Sequence, residues 1–275
     1  MTMEQQERIT WLIGELQKEM PEYAGISLPD DPEGRWQLFR GLCNLRPPRK
    51  ATAGFLKVQD AFLREMTREK GIVLLDSLQP SQLDSRLFLW QGDITRLQAD
   101  AIVNAANSQL LGCFRPNHNC IDNLIQTMAG VQLRYACWQL MEEQGHPEPT
   151  GRAKITQGYN LPARNVLHTV GPIVQRKVTE RDRQLLASCY RSCLELASSA
   201  SLHSLAFCCI STGVFGYPQA EAARTAVKTV QEWLAEHPRT SLDKIVFDVY
   251  KDGDQALYKA LLEKVSFAIP GPGLL

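Results

Sequence analysis

Hydrophobic positions recur at helical spacing through the first third of the chain. In "QERITWLIGELQKEM", Ile9, Leu12, Ile13 and Leu16 fall on one helical face. "PDDPEGRWQLFRGLCNLRPP" reads as an acidic helix start, a short apolar helix and a proline stop. "GFLKVQDAFLREMTREKG" gives a third amphipathic helix, closed by Gly71. No strand signal interrupts these runs, so residues 1–80 are expected to form a helical extension whose apolar faces pack on the rest. From "RLFLWQGDITRLQADAIVNAAN" onward the pattern changes. "LFLW", "ADAIVNAA", "NVLHTVG", "SLAFCCIS" and "KIVFDVY" are short runs with strand character. Between them lie the helical stretches "IDNLIQTMAGVQLRYACWQLMEEQG", "DRQLLASCYRSCLELASSA" and "PQAEAARTAVKTVQEWLAEH". Strands alternating with helices predict an α/β fold over residues 81–275, a three-layer α/β/α sandwich on a largely parallel sheet. Such sheets bind ligands in the loops at the carboxyl ends of their strands. The tail "IPGPGLL" reads as a frayed terminus.

Composition narrows the class. The 275 residues are 44% hydrophobic and 22% charged, as in a globular enzyme or binding module. Thirty basic residues balance thirty acidic ones, which excludes an overall basic field for nucleic acid. The opening "MTMEQQERITWLIGELQKEM" lacks the basic and apolar regions of a signal peptide, and no apolar run reaches membrane-spanning length. A cytoplasmic protein with reduced thiols is the expectation. Of the eight cysteines, Cys43, Cys137, Cys189, Cys193, Cys208 and Cys209 stand among apolar neighbours and read as buried small hydrophobes. Cys113 and Cys120 differ. They lie in the polar, turn-rich "GCFRPNHNCID" with His118 between them. C-x4-H-x-C matches no standard finger spacing, and on spacing alone a metal site and chance proximity stay equally open.

The loops after the strands carry further chemistry: "QGDI", "NAANSQLLGC" and "STGVFGYP". In the last, Gly213 and Gly216 just before a helix allow close backbone approach and present amides to an anion. Taken together, "QGDIT…ADAIVNAAN", "GRAKITQGYNLPARNVLHTVGP" and "ISTGVFGYP" resemble, in order and spacing, the macrodomains, which bind ADP-ribose. The resemblance runs from about Leu87 to the end of the chain. "GCFRPNHNC" stands where most hydrolytic members carry a glycine-rich loop. In this, and in its N-terminal extension, the chain looks like the zinc-dependent macrodomains among microbial protein-ADP-ribose hydrolases.

That resemblance implies a mixed, largely parallel macrodomain sandwich and one zinc ion per chain, held by Cys113, His118 and Cys120. Three protein ligands leave a fourth position open, the mark of a catalytic site. Asp93 then accepts from the adenine amino group, with the Ile94 amide beside it; a turn or cap role is its alternative. Asn104 and Asn107 belong to "NAAN", and Asn107 faces the distal ribose. Asp122 opens the helix after the metal loop, where it also favours the helix dipole. Ser211, Thr212, Gly213, Val214, Phe215 and Gly216 form the phosphate loop; Phe215 covers the distal ribose and Tyr250 stacks on adenine, unless either packs into the core. His168 reads as a satisfied strand histidine. The implied activity is zinc-dependent removal of mono-ADP-ribose from modified protein side chains, with an ester to Asp or Glu favoured. The implied partners are ADP-ribose and mono-ADP-ribosylated protein, including a lipoyl carrier protein beside a sirtuin-type transferase. The alternative is a non-catalytic ADP-ribose reader with a structural zinc.

Overall fold

The computed structural model describes residues 3–263; the tail "IPGPGLL" lies outside them. Three helices open the chain, each started by a side-chain device. α1 (Gln5–Glu19) begins with a reciprocal Glu4–Glu7 capping box. At the start of α2 (Pro32–Leu45), Asp31 accepts from the Gly34 amide at 2.8 Å. Thr52 does the same for α3 (Ala53–Lys70), accepting from the Phe55 amide at 3.1 Å. Their apolar faces meet in a core of Leu12, Leu16, Phe39, Phe55 and Phe62, which Val131 joins from far along the chain. One feature before residue 80 departs from the all-helical expectation. β1 (Val73–Leu74) pairs in parallel with β3 (Leu97–Gln98), a ladder too short to leave a hydrophobic pattern.

The main sheet has six strands: β2 (Leu87–Gln91), β4 (Ala101–Ala106), β5 (Ala153–Gln157), β6 (Asn165–Val170), β7 (Ser204–Phe207) and β8 (Lys244–Val249). Their order is β2-β8-β7-β4-β6-β5, and every pair is parallel except β5 with β6. The fold is therefore the expected α/β sandwich on a mixed, mostly parallel sheet. Ile102, Val103, Val166, Leu167, Ile245 and Val246 are wholly buried, because helices cover both faces and continuous apolar runs are what such strands need. β7 stops at Phe207, so Cys208 and Cys209 begin a loop, and Cys209 is half-buried where full burial was expected.

The stretch from Ile121 to Gln144 is two helices, α4 (Ile121–Ala129) and α5 (Val131–Gln144), where one was expected. Gly130 breaks it with φ 97°, and a Cβ there would meet the Gln59 Nε2 at 2.5 Å. α6 (Glu180–Ser199), α7 (Gln219–Glu236) and an unanticipated α8 (Asp252–Leu262) follow; α7 contacts both α6 and α8. The N-terminal helices are bonded to the rest by buried polar groups. Arg134 Nη1 donates to the carbonyls of Cys43, Asn44 and Arg46 at 3.0, 2.8 and 2.6 Å, capping α2 from a distant helix. Gln59 Oε1 accepts from the Val131 amide at 2.9 Å.

All five parallel strands end at one edge: Gln91 lies beside Val249, Phe207 beside Phe247, and Ala106 beside Val170. The loops that follow them emerge there together. Among the described residues, no helix is long and apolar enough to cross a membrane.

Candidate active site at the carboxyl edge of the sheet

β4 delivers Asn107 to this edge. Its Oδ1 accepts from the Gln109 amide at 3.0 Å and its Nδ2 donates to the Gly112 carbonyl at 2.9 Å, so one side chain holds both ends of the turn. The next loop folds back on itself. Cys113 Sγ lies 3.4 Å from His118 Nδ1, and the donor atoms of Cys113, His118 and Cys120 all lie within 4.8 Å of one another. Zinc bonds of 2.0–2.3 Å at tetrahedral angles place ligand atoms about 3.5–3.8 Å apart, so a slight contraction satisfies the ion. Two thiols and an imidazole are also the donor types that zinc selects. The residues fit the metal. Cys120 also caps α4, its Sγ accepting from the Asn123 amide at 3.4 Å.

Asp122, in the first turn of α4, is only 6% exposed. Its Oδ1 accepts from Asn104 Nδ2 at 2.8 Å, and its Oδ2 stands 3.5 Å from Asn107 Nδ2. Burial pushes this carboxyl up to about 6, against the Asn104 hydrogen bond and the Arg134 charge, which both favour the anion. Asn104 itself has no accessible surface, so it reaches a ligand only through Asp122. The same Asn104 NH2 group lies 3.2 Å from His168 Nδ1, and His168 Nε2 lies 2.9 Å from Thr156 Oγ1. With Asn104 donating, Nδ1 accepts and the ring proton sits on Nε2. This is a satisfied strand histidine that also fixes the amide holding Asp122.

His168 carries a consequence for acid stability. Burial pushes its pKa down to about 4. Between about pH 6.5 and 4 the unfolded chain binds a proton that the folded ring refuses, so stability rises with pH across that window. The contribution is complete above pH ~6.5 and falls by about 3 kcal/mol as the pH drops to 4. Unfolding free energies of the native chain and His168→Gln should therefore diverge on acidification, the native chain losing about 3 kcal/mol more. Parallel curves would show that the ring titrates normally in the folded state.

The loop after β7 is closed by its own backbone. Gly216 N donates to the Gly213 carbonyl and Tyr217 N to the Ser211 carbonyl, both at 3.0 Å, while Val174 N donates to the Phe215 carbonyl at 2.8 Å. Ser211 is buried at φ 66°, and its Oγ has no hydrogen-bond partner among the described residues. Thr212 Oγ1 donates to the Cys209 carbonyl at 3.1 Å. Val214 is 73% exposed, Phe215 is half-buried, and a Cβ on Gly213 would meet nothing within 4 Å. The tip is open to an incoming group and α7 starts just behind it.

At the β2–β8 side, Asp93 caps a 3-10 turn over Ile94–Arg96. Its Oδ1 accepts from Thr95 N at 3.0 Å and from Thr95 Oγ1 at 2.6 Å, while the Ile94 side chain is buried. The cap reading is realised, and both bonds fall on one oxygen. Tyr250 lies just past β8 and is 75% exposed, so it is no core residue. The sequence reading missed Asp248, a buried acid beside Asp93, whose carboxyl burial and the Asp93 charge raise well above the usual range. Its signal was an acid inside the apolar run "IVFDV". Arg134 was also missed; its guanidinium lies 4.4 Å from the Phe114 ring centre, above the metal loop. Strand order lays the candidates out in a row: Asp93 after β2, Tyr250 after β8, residues 211–216 after β7, and Asn107 after β4. Asn107 and Asp122 meet at the last of these stations, and the loop carrying Cys113, His118 and Cys120 runs between them in sequence.

Known proteins resemble this chain over most of its length. The Macro domain family model matches residues 103–226. A protein-ADP-ribose hydrolase of Treponema medium is 50% identical over 262 residues, covering 94% of this chain and 100% of the relative. A protein-ADP-ribose hydrolase of Staphylococcus aureus is 49% identical over 253 residues, covering 92% of this chain and 94% of its own length. Among solved structures, a Trypanosoma brucei macrodomain in complex with ADP-ribose is 30% identical, with a TM-score of 0.63, and covers 85% of this chain and 96% of that one.

Proposed function

The chain belongs to the macrodomain family, and from that premise we propose that it hydrolyses ADP-ribose from modified protein with the help of zinc bound by Cys113, His118 and Cys120. The observation that carries this reading is the convergence of the metal triad, Asn107 and Asp122 at one end of a row of ligand-binding loops. Four adjacent strands at about 4.8 Å spacing separate the two ends by roughly 14 Å, room for an extended nucleotide-diphosphate-ribose. Asp93 meets the adenine at one end. The amides around Gly213 and Gly216, with the start of α7, hold the diphosphate without help from a basic side chain. Asn107 and Asp122 take the hydroxyls of the distal ribose, and Phe215 covers that sugar.

Zinc supplies Lewis acidity toward oxygen at this station. The protein's share is orientation. Asp122 is held by Asn104, and Asn107 by its own turn, so the ribose meets a preset pair of hydrogen-bonding groups at little entropic cost. An ester to Asp or Glu is the favoured linkage, because a carboxylate leaves more readily than an amide or alkoxide.

The test is release of ADP-ribose from a protein carrying it on an acidic side chain. The native chain should release it, a strong chelator should stop the release, and Gly213→Val should slow it by weakening ADP-ribose binding. A Cβ at this position meets nothing within 4 Å in the folded protein, so the added bulk is directed at the ligand. A zinc-loaded chain that binds ADP-ribose and releases none would be a reader.

A further inference from the structure

The loop that carries the metal triad is anchored mainly by α2. Arg40 Nη2 donates to the His118 carbonyl at 3.0 Å and to Asn123 Oδ1 at 2.8 Å; its Nε donates to the same Oδ1 at 3.0 Å. Asn123 is wholly buried and passes the grip onward, its Nδ2 donating to the Arg115 carbonyl at 3.1 Å and its backbone amide to Cys120 Sγ at 3.4 Å. A second anchor lies one turn along α2. Asn44 Oδ1 accepts from the Asn117 amide at 2.9 Å, and Asn117 Nδ2 donates to the Gln37 carbonyl at 3.1 Å.

We infer that α2 is a working part of the metal site, with Arg40 as the positioning residue that holds His118 and Cys120 at coordinating separation. The inference rests on the metal reading of the Cys113, His118 and Cys120 cluster. Its physical basis is that the bonds from α2 are the ones that fix the His118 carbonyl and the Asn117 amide, in a loop of polar and turn residues. Between its cysteines it reads Phe-Arg-Pro-Asn-His-Asn; Phe114 is 42% exposed and Asn117 sits at φ 54°. Fixing such a backbone costs conformational entropy at every residue. With Arg40 and Asn44 in place, that cost is met when the protein folds, and the ion meets a formed site. Arg40 suits this role because its planar fork spans a carbonyl and an amide oxygen at once, which a lysine cannot do.

The test compares the native chain with Arg40→Met and Arg40→Lys by two measurements. The first is zinc affinity by competition with a coloured chelator. The second is amide hydrogen exchange of residues 113–120 in metal-free protein. Arg40→Met should bind zinc about 10- to 100-fold more weakly, and its loop amides should exchange faster while the far-ultraviolet dichroism is kept. Arg40→Lys should recover only a minor part of both. Unchanged affinity with unchanged loop exchange in Arg40→Met overturns the inference, and full recovery by Arg40→Lys replaces positioning with charge alone. If the native chain binds no zinc, the metal reading falls; unaltered loop exchange in Arg40→Met would then remove the clamp as well. Should Arg40→Met fail to fold, Arg40→Gln carries the same comparison.

Discussion

Exchanging Cys113 or Cys120 for alanine is expected to empty the protein of zinc. The native chain should purify with one ion per chain, since its described residues bring together one Cys-Cys-His triad. Structural zinc sites bind with about 10–16 kcal/mol over four ligands, so each ligand carries roughly 3 kcal/mol, or more than a hundredfold in affinity. Losing one of three protein ligands therefore takes a tight site below the concentrations met during purification. Cys120→Ala also removes a helix cap, a loss of about 1 kcal/mol that leaves the fold intact. Elemental analysis gives the answer directly: full zinc in both variants would show that the cluster is ordinary packing with sulfur in it.

Asp122→Asn should lower the turnover number about 100-fold and leave binding of free ADP-ribose nearly unchanged. The substitution keeps the shape of the side chain and its bond from Asn104, so the helix start stays formed. What changes is the acceptor offered to the ribose. An orienting group acts mainly in the transition state, so its loss appears in kcat more than in affinity. Turnover on a modified protein and calorimetry with free ADP-ribose separate the two. Equal losses in both would assign Asp122 to uniform binding, and the hydrolytic role would pass to other groups.

Much of this molecule was legible as sequence because the strands of a doubly covered sheet must be apolar throughout. "ADAIVNAA", "NVLHTVG" and "KIVFDVY" could only be buried strands, and their order gave the layout of the loops. β5 was missed for the converse reason. It is an edge strand whose residues are mostly half-buried, so "AKITQ" carries no strong pattern. α8 starts at "DGDQ" directly after a strand, and its polar first turn resembles a loop. At the site, Cys113, His118 and Cys120 and the Gly213–Gly216 loop are each local in sequence, so both could be singled out as candidates. The supports were not local. Arg40 lies 83 residues from Asn123, and Asn104 lies 64 from His168, pairings that no spacing rule relates. Asp248 had a visible signal, an acid in an apolar run, that went unread.

The contacts between α2 and the residues from Asn117 to Arg134 also set an order of events during synthesis. α2 leaves the ribosome well before its partners, which lie 73 to 91 residues further on. Its carbonyls at Cys43, Asn44 and Arg46 have no cap until Arg134 arrives, so the helix frays at that end while the chain lengthens. Closing a loop of that size is slow beside helix formation, and it must come before the segment from Arg115 to His118 takes its final shape. On the metal reading proposed above, zinc capture would then be a late step of folding, because the loop is held only after Arg40 and Asn44 have met residues 73 to 83 positions further on.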